Sequence, residues 1–236
     1  MLVGPSGIGK TFLLDKLKRH PALRNTLGPF VPLVFPQLAS DDLLAYCTAC
    51  LRSTLWSAEP EIRYQESFAN HYSLPTLLEL EHRLRENTKR GSRAVLMVDD
   101  AEMIDDPKVL RLFKSLLSIE QDGKPCLSLV FLGEETTVNA FEMIPSLEQR
   151  IEAKCFLEPF SESETQRYVE GRLETAGTFR DIFEPDAVFL IHELSQGIPR
   201  QINRLCDLAL LVGFAQKVTQ IEPPLVESLF EDLVAV

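Results

Sequence analysis

The residue types best suited to chemistry stand at the start of the chain, where residues 4–11 read GPSGIGKT, a G-x-x-x-x-G-K-T pattern. Glycine at these positions lets backbone N–H groups approach phosphate oxygens that a Cβ would obstruct. Lys10 can reach the β- and γ-phosphates of a nucleotide, and the Thr11 hydroxyl can complete a magnesium shell. The pattern therefore predicts a site for a nucleoside triphosphate with Mg²⁺. We expect contacts from Gly4, Pro5, Ser6, Gly7, Ile8, Gly9, Lys10, Thr11 and Phe12.

Two consecutive acids form the second group of candidate residues. Residues 94–100 read AVLMVDD, a continuous apolar run typical of a buried parallel strand, followed by Asp99 and Asp100. Asp99, at the carboxyl end of such a strand, would hold magnesium, and Asp100 would orient and polarise the attacking water. An alternative is that the two acids only end the strand, but the upstream phosphate motif weakens that alternative.

An alternation of strand and helix patterns surrounds both motifs and predicts how they are positioned. Strands are expected before the loop and at 31–35, 94–98, 127–132 and 154–157, with Pro29 and Pro36 bounding the strand at 31–35. Helices are expected at about 10–19, 40–55, 76–86 and 107–119, whereas 57–73 reads as an irregular excursion. This alternation indicates an α/β core with a parallel sheet.

The pattern changes after Pro159. Ser161 and Glu164 form a capping box at a helix start, and the apolar residues that follow have helical period. We therefore expect a core domain over residues 1–158 and an all-helical domain over residues 159–236. The apolar face of the helical domain is predicted to include Leu173, Phe183, Leu190, Leu194, Leu205, Leu208 and Leu229.

Composition favours a cytoplasmic protein with reduced thiols. The 236 residues carry a net charge of −11, which argues against a surface devoted to nucleic-acid phosphates. The longest nearly apolar run, 208–215, is too short to span a bilayer, and the start does not read as a signal peptide. The five cysteines are scattered. Cys47 and Cys50 form a lone C-x-x-C within a helical pattern, which favours buried cysteines over a redox pair or half of a metal site.

Several stretches together resemble one family. They read VGPSGIGKTFLLDKL, VLMVDDAEMI, LSLVFLGE, SLEQRI, LEPFSESET and SQGIPRQINRLCDLALL, and they extend over most of the chain. The set resembles AAA+ ATPases of the ASCE type, and within them the ExeA/GspA-type secretion ATPases and their TniB-like transposition relatives. The resemblance implies a P-loop parallel-sheet core, a C-terminal helical lid, ATP and Mg²⁺ as cofactors, and a homo-oligomeric ring or filament. It also implies an N-terminal truncation, because only three residues precede the loop.

Carried over position by position, the resemblance implies further site residues. Arg200, in GIPR, matches the lid arginine that contacts the terminal phosphates, and Pro199 would begin its helix and aim it at the nucleotide. Arg150, in EQRI, matches the arginine finger that completes the site of a neighbouring subunit. Glu134, at the end of LSLVFLG, lies where the family has a polar sensor residue.

Two departures from the family pattern separate the functional hypotheses. The family reads D-E-A-Q where this chain has Asp99, Asp100, Ala101 and Glu102, so the carboxylate of Asp100 is one methylene shorter than that of glutamate. Glu134 stands where glutamine is common, and both changes predict slow hydrolysis. The leading hypothesis is an ATPase that drives or regulates assembly of a larger complex, with a protein partner in secretion or transposition machinery. The alternatives are a slow or non-hydrolysing nucleotide switch that recruits partners, and a DNA-associated transposition or replication ATPase, with nucleic acid as the less favoured partner.

Overall fold

The chain folds into two compact units. The structure, a computed structural model, describes residues 1–20, 27–34, 36–52, 74–178 and 180–234. The irregular excursion expected at 57–73 lies outside these ranges. The first unit comprises Met1–Gly4 and Lys10–Phe156, and the second comprises Pro5–Gly9 and Leu157–Val236.

A parallel sheet forms the centre of the first unit. Along the chain, the strands are β1 (Leu2–Val3), β2 (Leu27–Leu33), β3 (Arg93–Val98), β4 (Glu120–Gln121), β5 (Lys124–Pro125), β6 (Leu127–Gly133) and β7 (Cys155–Phe156). The main sheet has the order β2-β3-β6-β1-β7, and its neighbouring strands are all parallel. β4 and β5 form a separate antiparallel hairpin. The expectation of a parallel-sheet core is confirmed.

The apolar run before the acidic pair occupies a central strand, as predicted. β3 lies between β2 and β6, and its residues 94–98 are all buried. A strand in this position is covered on both faces, which explains why its sequence is continuously apolar instead of alternating. Burial on both faces holds the end of β3, and therefore Asp99, in a defined place.

The second strand differs from its prediction. The expectation that Pro29 bounds a strand at 31–35 is wrong, because β2 begins at Leu27 and contains both Pro29 and Pro32. Among the described strands, β2 lies at the edge of the sheet, where a missing N–H costs no ladder bond on the open side. Its register with β3 shifts between Leu27 and Phe30. The prolines are therefore accommodated by the edge position and this irregularity.

Helices pack against the sheet in the first unit. They are α1 (Lys10–Arg19), α2 (Ser40–Arg52), α3 (Leu74–Lys89), α4 (Pro107–Leu116), α5 (Glu135–Glu142) and α6 (Pro145–Glu148). α4 begins where Asp106 accepts a 2.8 Å hydrogen bond from the amide of Lys108, with Pro107 in the first turn. It ends at Leu116, short of the predicted end at 119. The sequence patterns predicted neither α5, α6 nor the β4–β5 hairpin.

Aromatic rings fill the core beneath the central strands. Phe131 packs edge-to-face against Phe113 at 5.3 Å between ring centroids and against Phe141 at 4.6 Å. Cys47 and Cys50 are buried in the same core, as their helical spacing predicted. Burial raises the pKa of the Cys47 thiol to about 12, and the neighbouring Cys50 adds to that shift. Both cysteines therefore act as small apolar core residues.

The second unit is helical, which confirms the predicted fold class of its region. Its helices are α7 (Glu162–Thr175), α8 (Pro185–Ser195), α9 (Pro199–Gln216) and α10 (Pro223–Val234). The predicted capping box is present, because Ser161 accepts from the amide of Glu164 and its own amide donates to that side chain. Phe183 and Leu205 lie in the apolar core. Across the described ranges, we find no helix with both the length and the apolar character needed to cross a membrane.

Candidate functional site

The candidate residues of the first unit gather at one edge of the sheet. Because the main strands are parallel, their carboxyl ends meet at the same edge, which is where ligands bind in open α/β sheets. Gly4 follows β1, Asp99 follows β3 and Glu134 follows β6. The amide of Gly4 donates a 3.1 Å hydrogen bond to the carbonyl of Gly133, the last residue of β6. The start of the glycine-rich loop is thereby fixed to the neighbouring strand end.

The loop backbone has the conformation that its glycines permit. Gly7 has φ of +81° and Gly9 has φ of +105°, a region that other residues rarely adopt. The amide of Ile8 donates to the carbonyl of Pro5 at 3.3 Å, which closes the loop into a turn. Positive-φ residues in such a turn orient successive N–H groups to the same side, and this arrangement binds anions.

The side chains after the loop lie beside the acidic strand end. Lys10 is only 8% exposed, and its Nζ donates to the carbonyl of Gly4 at 2.7 Å. The Thr11 hydroxyl donates to Oδ2 of Asp99 at 2.8 Å. Phe12, in contrast, is 68% exposed on the surface of α1. The structure therefore brings together Lys10, Thr11 and Asp99, the three residues expected to hold phosphates and magnesium.

Asp100 has an unusual backbone conformation. Its φ and ψ are both 47°, in the left-handed region, and it precedes a short 3₁₀ turn at Ala101–Met103. Aspartate tolerates this region better than most residues do. The amide of Asp100 donates to Oδ1 of Asp99 at 3.1 Å, so the two acids are held together locally. The Asp100 side chain is exposed, within reach of solvent water.

Sequence reasoning missed one contact at this edge, the carboxylate of Glu102. Its Oε2 accepts from the amide of Glu134 at 3.2 Å and lies 3.4 Å from the hydroxyl of buried Thr137. One signal was available in the sequence. Glu134 stands before α5 and is not among the usual N-cap residues, so the free N–H groups at that helix start need an acceptor from elsewhere.

The predicted lid arginine lies beside the glycine-rich loop within the second unit. Pro199 is in the first turn of α9, as predicted. The amide of Arg200 donates to the carbonyl of Gly7 at 3.2 Å, and its Nη1 lies 3.5 Å from the hydroxyl of Ser6. A Cβ on Gly7 would lie 2.8 Å from the Cβ of Arg200, which is closer than side chains pack. Glycine at position 7 therefore allows α9 to approach the loop.

Arg150 lies at the opposite edge of the sheet. Its guanidinium donates to the carbonyl of Leu117 at 3.2 Å and to the hydroxyl of Ser118 at 3.1 Å, just beyond the end of α4. It lines a cavity together with Arg93 and Leu127, the first residues of β3 and β6. Asp99 and Glu134 follow the other ends of those strands. Arg150 is therefore not brought together with Lys10 and Asp99 within this chain.

The chemistry of these residues fits a magnesium nucleotide. Hydroxyl and carboxylate oxygens such as those of Thr11 and Asp99 are ligands that Mg²⁺ prefers. The buried amine of Lys10 and the loop N–H groups are donors suited to phosphate oxygens. Gly7 and Gly9 have the positive φ that suits a loop of anion-binding N–H groups.

Comparison with known proteins agrees with this geometry. A protein-family model described as "AAA domain" matches residues 1–139. General secretion pathway protein A of Aeromonas hydrophila is 32% identical over 223 residues, which cover 92% of this chain and 37% of that protein. The resemblance to the ExeA/GspA type is thereby confirmed, although the chain spans little more than a third of this relative's length.

Solved structures share the fold at low sequence identity. The Aeropyrum pernix ORC2 protein in its ADP form has a TM-score of 0.68 at 19% identity, covering 98% of this chain and 61% of that one. Cdc6p from Pyrobaculum aerophilum has a TM-score of 0.68 at 20% identity, covering 93% of this chain and 56% of that one. With the family match over more than half of its residues, this chain belongs to the AAA domain family.

Proposed function

We propose that this chain is a Mg²⁺-dependent ATPase module whose nucleotide state drives or regulates assembly of a larger complex. The observation that carries the proposal is the 2.8 Å contact between the Thr11 hydroxyl and the Asp99 carboxylate, next to the buried Lys10. In P-loop enzymes, a hydroxyl and an acid at these two positions hold the metal beside the phosphates. When bound, the metal would neutralise negative charge on the phosphate groups.

Each residue has a role in the proposed reaction. The loop N–H groups and Lys10 bind the phosphates, and Thr11 with Asp99 holds the metal. Asp100 orients the attacking water and accepts its proton. The family resemblance assigns to Arg200 the binding of the terminal phosphate and the stabilisation of the charge that develops there.

Phosphate release with Mg²⁺-ATP tests the proposal. We expect Lys10→Ala to abolish measurable release, because the only buried lysine among the described residues is then lost from the phosphate site. Lys16→Ala is a matched control, because Lys16 is an exposed lysine on the same helix. Equal rates in the wild type and Lys10→Ala would contradict the proposal.

A slow nucleotide switch is the second candidate, and Asp100 favours it. Its carboxylate extends one methylene less far than that of a glutamate would, which predicts slow hydrolysis. Asp100 is exposed and has a left-handed backbone at the start of a turn. The wild type should be compared with Asp100→Glu and Asp100→Asn under the same conditions. A rate equal to that of Asp100→Asn supports the switch, and a rate lost in Asp100→Asn supports the enzyme.

We propose a homo-oligomer in which Arg150 acts on the nucleotide of a neighbouring copy, and the position of Arg150 supports this proposal. A guanidinium at the amino-terminal edge of the sheet can act on a nucleotide only if that nucleotide is bound by another copy. Mixing Arg150→Ala with Lys10→Ala protein should restore activity that neither variant has alone, because one type of interface then contains an intact lysine and an intact arginine. No recovery in the mixture would contradict a shared site.

The proposal extends to partner and compartment. The related protein is named for the general secretion pathway, which supports a secretion-type assembly as the partner of this chain. All five cysteines are free thiols, three of them buried, which supports a reducing compartment such as the cytoplasm. Co-purification with general secretion pathway proteins of the same organism would test the assignment of the partner, and their absence from the purified complex would contradict it.

A further inference from the structure

We propose that Glu102 is a positioning residue. It fixes the Gly133–Glu134 peptide and thereby the position of Glu134 at the edge of the sheet where the phosphates are proposed to bind. The proposal rests on the proposed function for its catalytic consequence and on the geometry of the first unit for its structural part. Glu102 belongs to the 3₁₀ turn at Ala101–Met103, directly after the acidic pair.

A single peptide group connects three strand ends. Its carbonyl, from Gly133, accepts from the amide of Gly4 at 3.1 Å, and its N–H, from Glu134, donates to Glu102 at 3.2 Å. Hydrogen bonds on both sides of one peptide polarise and strengthen each other. The start of the glycine-rich loop, the end of β6 and the turn that follows Asp100 are thereby held in one arrangement.

The surroundings of the carboxylate are built for it. A Cβ on Gly133 would lie 2.9 Å from Oε2 of Glu102 and 2.1 Å from Oγ1 of Thr137, so only glycine leaves room there. Thr137 is fully buried, and its hydroxyl lies 3.4 Å from the same oxygen, longer than a usual O–H···O bond. The amide of Glu134 is therefore the main partner. A carboxylate at the start of α5 also matches the positive end of the helix dipole.

This arrangement explains how Glu102 acts without touching a ligand. The direction of the Glu134 side chain depends on the peptide that precedes it, and that peptide is held by Glu102. A displacement of about 1 Å at a positioning group can reduce a rate by about a hundredfold. Loss of Glu102 should therefore lower the rate of the chemical step more than it weakens nucleotide binding.

The test compares three variants of the full chain. Glu102→Ala removes the hydrogen-bond acceptor, and Glu102→Gln keeps an acceptor oxygen. Glu135→Ala is a matched control, because it removes an acid from the first turn of α5, the helix that follows Glu134. The quantities to measure are the hydrogen-exchange rate of the Glu134 amide, by NMR, and kcat and KM for ATP. The midpoint of urea unfolding is measured in parallel to detect a loss of fold.

Glu102→Ala should speed exchange of the Glu134 amide about fivefold or more, because one hydrogen bond is lost. It should lower kcat about tenfold with KM changed less than about twofold. Glu102→Gln should have an exchange rate and a kcat close to those of the wild type, and Glu135→Ala should change neither quantity. An unchanged exchange rate or an unchanged kcat in Glu102→Ala overturns the proposal, and so does an equal effect of Glu135→Ala.

Failure of the proposed function is distinguishable from failure of this inference. A wild-type chain that releases no phosphate contradicts the proposed hydrolysis alone. Hydrogen exchange of the Glu134 amide can be measured without ATP hydrolysis. The exchange rates in Glu102→Ala and Glu102→Gln then decide whether Glu102 holds this amide.

Discussion

The hydroxyl of Thr11 and the carboxylate of Asp99, 88 residues apart in the chain, are joined by a 2.8 Å hydrogen bond. The strands that precede them, β1 and β3, are not neighbours in the sheet, because β6 lies between them. The contact exists because parallel strands end at a common edge of the sheet, where Thr11 lies in the first turn of α1 and Asp99 directly follows β3. It is therefore a product of strand order, and it supports the proposal that the metal of a nucleotide complex binds here.

Gly7 is expected to tolerate alanine poorly. Gly7 and Gly91 both have φ of +81°. Backbone strain from alanine at either position should therefore lower the unfolding free energy by about 1–2 kcal/mol. At Gly7, the added Cβ would also lie 2.8 Å from the Cβ of Arg200. We therefore expect Gly7→Ala to lower the unfolding free energy more than Gly91→Ala and to weaken ATP binding, as measured by urea denaturation and ATP titration.

Gly91→Ala is the matched control for this comparison, because a Cβ there meets no atom within 4 Å. Its expected effect is on stability only, with ATP affinity unchanged. Equal losses of stability and unchanged ATP affinity in both variants would show that Arg200 does not restrict position 7.

Glu164 predicts a pH dependence of stability. Hydrogen bonds from the backbone N–H and then the hydroxyl of Ser161 hold the pKa of Glu164 below its ordinary value of 4.5. A carboxyl with a lowered pKa in the folded state stabilises the fold above its unfolded pKa, and this contribution is lost as the pH falls through the folded value. We expect the difference in unfolding free energy between the wild type and Glu164→Gln to shrink as the pH falls below 4.5.

The control for this pH dependence is Glu162→Gln, which removes an acid from the same helical turn outside the capping box. Urea denaturation at a series of pH values measures both variants. If the difference between the wild type and Glu164→Gln were constant across this range, the capping box would not bind the carboxylate in its charged form.

The capping box and the two nucleotide motifs show what local sequence can predict. Ser161 and Glu164 interact within one turn, so their spacing is sufficient. The loop glycines and the run that ends at Asp99 likewise depend on local conformation and burial. The parallel-sheet core followed from the alternation of these patterns, and it brings Thr11 to Asp99.

Long-range contacts account for what the sequence could not predict. Pro29 and Pro32 are compatible with β2 because it lies at the edge of the described sheet and its register with β3 is irregular, and local sequence patterns reveal neither feature. Glu102 reaches an amide 32 residues away, so its role depends on the packing of α5 against the 3₁₀ turn. Arg150 lies at the amino-terminal edge of the sheet, where it donates to Leu117 and Ser118 just beyond α4, so its position likewise depends on where α4 ends.

Cysteine reactivity should follow burial. Burial raises the pKa of the Cys47 thiol and of the Cys206 thiol to about 12 each, so about one part in 10⁴ is thiolate at pH 8. Cys155 is exposed. We expect iodoacetamide to modify Cys155 first in the native protein and Cys47 only after unfolding, as measured by mass spectrometry of the peptides. Early modification of Cys47 would contradict its place in the core.

Titration of ATP with and without Mg²⁺ into the wild type and Asp99→Asn tests the central claim most directly. If Thr11 and Asp99 hold the metal, Mg²⁺ should tighten ATP binding to the wild type, and Asp99→Asn should lose most of that gain while still binding ATP through the loop and Lys10. Absence of ATP binding by the wild type, or an equal gain from Mg²⁺ in Asp99→Asn, would contradict the assignment of this edge of the sheet as a magnesium nucleotide site.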